Sequence, residues 1–82
     1  MPKHPQTAAM EEFEEARTDR FPFRVITYGK PFRSSAVIER DLNTSIFCAT
    51  YPRTDPPRQH FRFKTENDAA SSGPTLRSAG GF

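Results

Sequence analysis

The chain lacks most of what a catalytic or cofactor-binding signature requires. Its single cysteine, Cys48, excludes an internal disulfide, and no Cys/His cluster offers ligands to a metal. There is no glycine-rich phosphate loop and no Cys-x-x-Cys. A run of about 18 apolar residues, the minimum for a membrane span, is missing. The N-terminal MPKHPQTAAMEEFEEA has no apolar centre like that of a secretory signal and is too acidic for a transit peptide. Cys48 and His60 are the only pair resembling a nucleophile and its base. Cys48 lies among apolar residues, where cysteine is ordinarily a small inert hydrophobe. The expectation is a soluble intracellular protein that needs no cofactor and is not an enzyme.

Apolar material is also short. Leu, Ile, Val and Phe number fifteen of 82 residues, below the roughly 20% at which disorder becomes a serious alternative. Eight of the fifteen are Phe, each burying far more area than Val, and the net charge is only +2, so a modest folded centre is expected. Charge divides the chain. Residues 1–19 carry a net of −3, residues 20–64 a net of +6, and residues 65–82 a net of −1. This gives three segments: an acidic, proline-flanked helical segment over 1–19, a basic β-rich core over 20–65, and a flexible Gly/Ser/Ala-rich tail over 66–82.

In the first segment, Thr7 can cap a helix over about 8–18, with Ala9, Met10, Phe13 and Ala16 on one face. Glu11, Glu12, Glu14 and Glu15 read as its solvated side. Four strands are expected in the core. Phe23–Tyr28 is closed by a Gly29-Lys30-Pro31 turn, and Ser34–Arg40 is joined by Asp41-Leu42-Asn43 to Thr44–Tyr51. Pro56 and Pro57 then force a loop before the fourth strand, His60–Thr65. In that strand Phe61 and Phe63 face a core, while His60, Arg62 and Lys64 face water. The expected fold is α+β, a short N-terminal helix with an antiparallel meander of about four strands and flexible termini; a small open β-barrel is the alternative.

The stretch TSIFCATY, Thr44–Tyr51, carries no charge. A strand of that kind belongs either in the middle of a sheet or under another protein. Ile38 and Phe61 or Phe63 can cover Ile46 and Cys48. Phe47, Ala49 and Tyr51 need the docked helix or a neighbouring protein.

Phe23-Arg24-Val25, followed by Arg40-Asp41-Leu42 leading through Phe47 to Pro52, resembles the small linker domains of phycobilisomes over about 30 residues. That family continues into a helix and a last strand, where this chain has Pro56-Pro57 and the His60 strand. The resemblance implies a small basic protein packed inside a larger pigment–protein assembly. The residues by themselves lead to a similar class, a non-enzymatic interaction or assembly subunit. Its partner-binding groups would be Arg24, Tyr28, Phe32, Arg33, Phe47, Tyr51 and Arg53, aromatic anchors with Arg beside them. The alternative is a small nucleic-acid-binding protein using Arg53, Arg58, Arg62 and Lys64.

Overall fold

The structure, a computed structural model, describes residues 3–29 and 32–79. Pro5 at the first helical position and the His4 side chain, whose Nδ1 accepts from the Gln6 amide at 3.1 Å, start α1 (Pro5–Glu15). Thr7, expected as the cap, lies inside the helix and is buried. Turns beyond Glu15 lead into β1 (Phe23–Tyr28), which ends at Gly29, a residue with φ of 90°. Lys30 and Pro31 of the expected turn lie outside the described residues. The chain then passes through α2 (Ser35–Leu42), β2 (Ile46–Tyr51), β3 (Arg58–Phe63) and α3 (Glu66–Ala79).

The described residues hold three strands in one antiparallel sheet of order β1-β3-β2, so the class is α+β and the sheet is open rather than a closed barrel. The second of the four expected strands, Ser34–Arg40, is instead helix α2. Its apparent alternation of Ala36, Val37 and Ile38 covers too few residues to specify a strand. Ile38 and Leu42 lie four apart and face the core together. Asn43, read as part of a hairpin, is the left-handed C-cap of that helix (φ 54°, ψ 43°), its N–H donating to the Glu39 carbonyl.

The expected flexible tail is also helical over 66–79. Thr65 caps it by accepting the Asp68 amide at 3.1 Å, and Glu66 and Asp68 sit in its positively polarised first turn. Ala69, Ser72, Gly73 and Leu76 repeat at helical spacing and turn toward the sheet. A Cβ on Gly73 would lie 3.8 Å from the Val25 side chain, so this helix runs close to β1.

Strand alternation gives the sheet two unlike faces. Val25, Ile46, Phe61 and Phe63 join Ile38 of α2 and Leu76 of α3 in one apolar cluster, with Phe23, Leu42, Cys48 and Ala69 packed against it. The opposite face carries Arg24, Ile26 and Tyr28 from β1, Arg58, His60 and Arg62 from β3, and Phe47, Ala49 and Tyr51 from β2. Helix α1 lies over the β2 side of that face. It supplies the cover that Phe47, Ala49 and Tyr51 require. Phe13 stacks on Phe47 at 5.7 Å between ring centroids, and Ala49 and Tyr51 are fully buried.

The strand order inverts one expectation. The charged strand, β3, occupies the middle of the sheet, and the charge-free strand, β2, lies at its edge. His60 and Arg62 therefore face α1 rather than water, at 4% and 6% exposure. No helix among the described residues is long and apolar enough to cross a membrane.

Candidate functional site

Glu14 is the centre of the α1-facing side. It is buried at 6% exposure, whereas Glu12 and Glu15 beside it are exposed, as the sequence reading placed all four glutamates. Its Oε1 accepts from the Tyr51 hydroxyl and lies 2.8 Å from His60 Nδ1. Its Oε2 accepts from Arg62 at 2.8 Å, and Arg62 Nε also donates to the Phe21 carbonyl at 2.8 Å. Arg58 Nε donates to His60 Nε2 at 2.9 Å. That bond makes Nε2 an acceptor, so His60 is the neutral Nδ1–H tautomer and donates to Glu14. Tyr51, His60 and Arg62 are thus held around one carboxylate that joins helix to sheet.

Burial pushes the Glu14 carboxyl up, but the hydrogen bonds from Tyr51, Arg62 and His60 outweigh it and hold the group below its ordinary value. Burial pushes His60 down further than its Glu14 hydrogen bond raises it. A charged His60 would also aim an Nε2 proton at the Arg58 donor. Burial and the Glu14 carboxylate drive the Tyr51 hydroxyl upward, so it stays protonated. In the unfolded chain Glu14 and His60 titrate near 4.5 and 6.5. Both folded values are lower, so below those points the unfolded chain binds more protons and stability must fall with pH. Urea midpoints measured across pH should be flat from neutrality to about pH 8, begin to drop as pH falls through about 6.5, drop further below about 4.5, and fall on the alkaline side above about 9, where the unfolded chain loses the Cys48 and Tyr51 protons that the fold retains.

The β1 side of this face is left open by α1. A cleft of about 250 Å³ runs between them, lined by Arg24, Arg58, Arg62, His60 and Tyr51 from the sheet and by Glu11, Glu14, Glu15 and Thr18 from the helix side. Its two walls differ in charge. Arg24 is exposed on β1, directly across from Arg62, and no carboxylate among the described residues pairs with it or with Arg58. Arg58 is positioned by His60 and by the Tyr51 ring, 4.9 Å from its guanidinium carbon. On the opposite wall Glu11 is paired to Lys3 at 2.7 Å. Tyr28, 54% exposed, stands at the far end of β1, about 13 Å along the strand from Arg24.

The structure separates the residues expected to meet a partner. Arg24 and Tyr28 share the open half-face. Phe32 is half-buried, and Arg33 is anchored through its backbone, its N–H donating to Gln59 Oε1 and its carbonyl accepting from Gln59 Nε2. Phe47 is covered by Phe13 and Phe21, with the Arg17 guanidinium 5.2 Å from its ring. Tyr51 is fully buried and its hydroxyl is engaged by Glu14, so it presents nothing to a partner. Arg53 is exposed beside Gln6 in the β2–β3 loop, at the end of the sheet where Tyr28, Tyr51 and Arg58 lie.

The four residues of the nucleic-acid alternative are dispersed as well. Arg62 is consumed by Glu14 and Phe21, Arg58 lines the cleft, Arg53 lies in the β2–β3 loop, and Lys64 sits 5.8 Å from the Phe21 ring. Cys48 and His60 project from opposite faces of the sheet. The Cys48 thiol accepts from Gln59 at 2.9 Å, and burial raises its pKa. Among the described residues no group of His, Cys, Asp and Glu is placed to hold a metal. No protein-family model, curated protein or solved structure matches the chain.

Proposed function

We propose that this chain is a non-enzymatic protein-interaction module, an assembly or accessory subunit that receives a segment of a partner protein on the open half of its α1-facing sheet surface. One observation carries this reading. Arg24 and Arg58 stand in a cleft without a carboxylate partner among the described residues, on the half of the face that α1 leaves bare. Arginines so placed are suited to carboxylates of a second chain, and the exposed Tyr28 ring adds apolar contact at low entropic cost.

The charge division of the cleft favours polypeptide over nucleic acid. A phosphate backbone entering along Arg24 and Arg58 would pass Glu15, whereas a polypeptide can place Asp or Glu against one wall and Lys or Arg against the other.

The test is a titration of the full chain with a short peptide of mixed Glu and Lys, with a poly-glutamate peptide and with a single-stranded oligonucleotide, followed by chemical shifts and calorimetry. The reading expects the mixed peptide to bind best and to perturb residues of β1 and Arg58. Replacing Arg24 and Arg58 together by alanine should weaken it by roughly tenfold or more. Preferential binding of the oligonucleotide, or peptide binding indifferent to both arginines, would overturn it.

A further inference from the structure

His60 stands where the ion-pair network meets the cleft, and its two ring nitrogens serve different neighbours. Nδ1 carries the proton and lies 2.8 Å from Glu14 Oε1, on the helix side. Nε2 accepts from Arg58 Nε at 2.9 Å, and both residues line the cleft. While Arg58 holds that nitrogen, no proton can occupy it. His60 also lies between the two arginines that have no carboxylate. Arg58 is two residues away on the same face of β3, and Arg24 is a diagonal neighbour on β1, beside the Arg62 position.

We propose that the cleft takes up a proton with its ligand, His60 Nε2 being protonated when a carboxylate of the partner segment settles between Arg24 and Arg58. Arg58 turns to that carboxylate, and the freed Nε2 donates to it as well. The Arg58 Nε–H to Nε2 hydrogen bond breaks, and an N–H bond forms at Nε2 with a proton delivered by the buffer. This inference rests on the reading of the cleft as a peptide site and adds its regulation, binding that tightens as pH falls.

The charges around the ring fix the sign. In the free chain burial, and then the charges of Arg24 and Arg58, hold a proton off His60 against the pull of Glu14. A carboxylate between the two arginines cancels their repulsion. On α1, Glu14 already accepts from Nδ1 and pairs with Arg62, Glu11 is paired to Lys3, and Glu15 is exposed on the same wall. Tyr51 of β2 lies 4.5 Å from the imidazole between ring centroids and stays protonated, so it adds no charge. Among the described residues of the cleft, Arg24 and Arg58 are therefore the cations a ligand can offset without breaking an existing ion pair. The His60 value lies below 6.5 in the free chain and rises in the complex. Between the two values binding takes up a proton, and by linkage affinity must rise as pH falls.

Calorimetry of the full chain with an N-acetylated, histidine-free Glu/Lys peptide counts the proton directly. It is run at about pH 6 and about pH 7.5, in buffers of different ionisation enthalpy. Glutamate side chains stay ionised over this range, so the peptide supplies no titration of its own. The expected result is net proton uptake on binding and an affinity at least roughly threefold higher at the lower pH. A nuclear magnetic resonance titration should place the His60 pKa higher in the complex than in the free chain. The value should also rise in free Arg58→Ala, which lacks both the Nε donor and its charge. Circular dichroism checks that this variant folds, and the unaltered chain decides the matter if it does not. Equal affinity at both pH values without proton uptake would overturn the inference and leave peptide binding standing. An unchanged His60 titration in folded Arg58→Ala would overturn it too. Absence of binding at either pH would remove both the inference and the reading beneath it.

Discussion

Replacing Glu14 by alanine is expected to remove about 3–5 kcal/mol of folding stability, enough to unfold a large fraction of a marginally stable small domain. The carboxylate is the common acceptor for Tyr51, His60 and Arg62, which all lie under α1. Its removal strands the Arg62 guanidinium in a site with 8% side-chain exposure, leaving only the Phe21 carbonyl as acceptor. It also leaves the Tyr51 hydroxyl and the His60 N–H buried without partners. Glutamine would not rescue the fold. Its amide oxygen could still accept from Tyr51 and His60, but its NH₂ would then point at the Arg62 donor.

A second measurement separates loss of attraction from the stranding of a charge. Replacing Glu14 and Arg62 together by leucine and methionine removes the ion pair without orphaning either member, so it should cost less than the sum of the two single replacements. Urea unfolding of the four proteins reads this directly. Strict additivity would show that Glu14 and Arg62 do not act as a unit.

How much of this site was legible in the sequence depends on the residue. The need for a cover over Phe47, Ala49 and Tyr51 followed from the shortage of apolar side chains elsewhere, and α1 meets it. The polar character of that cover did not show. Four glutamates in five positions look equivalent when helix amphipathicity is judged from apolar residues alone. Yet Thr7, Met10 and Glu14 follow one helical stripe, and Glu14 is the carboxylate on it. The strands held the complementary signal. Tyr51, His60 and Arg62 fall on one face once β2 and β3 are paired, and buried groups of that kind demand an acceptor.

The strand order was harder to read. Charge content ordinarily places an apolar strand in the centre and a charged one at the edge. Here Phe61 and Phe63 fill the apolar cluster on one face, and Glu14 neutralises the other, so a strand reading RQHFRF can be central. The same carboxylate that releases β3 from the edge leaves β2 there. The reading of Thr44–Tyr51 offered two outcomes, the middle of a sheet or a surface under another protein. The fold removes the first, and the docked helix α1 supplies the cover over Phe47, Ala49 and Tyr51 that a second protein would otherwise have to give.

Truncating Leu76 to alanine is expected to cost about 2–5 kcal/mol, and ending the chain after Thr65 to abolish cooperative folding. Leu76 is 1% exposed within the cluster of Val25, Ile38, Ile46, Phe61 and Phe63. It is the one large apolar residue that α3 adds to that cluster. Its neighbours on the buried stripe, Ala69, Ser72 and Gly73, are small, which lets the helix lie close to β1 but leaves little to fill a cavity at position 76. That composition, with Pro74 inside the helix, is also why the segment reads as a linker when weighed residue by residue. The legible signals were Thr65 three residues before Asp68 and the spacing that brings Ala69, Ser72, Gly73 and Leu76 onto one side. Without α3 the Phe61 and Phe63 rings, both fully buried, would lose cover over β1 and β3. A far-ultraviolet thermal melt of the 1–65 fragment should therefore show no cooperative transition. A fragment that melts like the full chain would return residues 66–79 to the status of a tail.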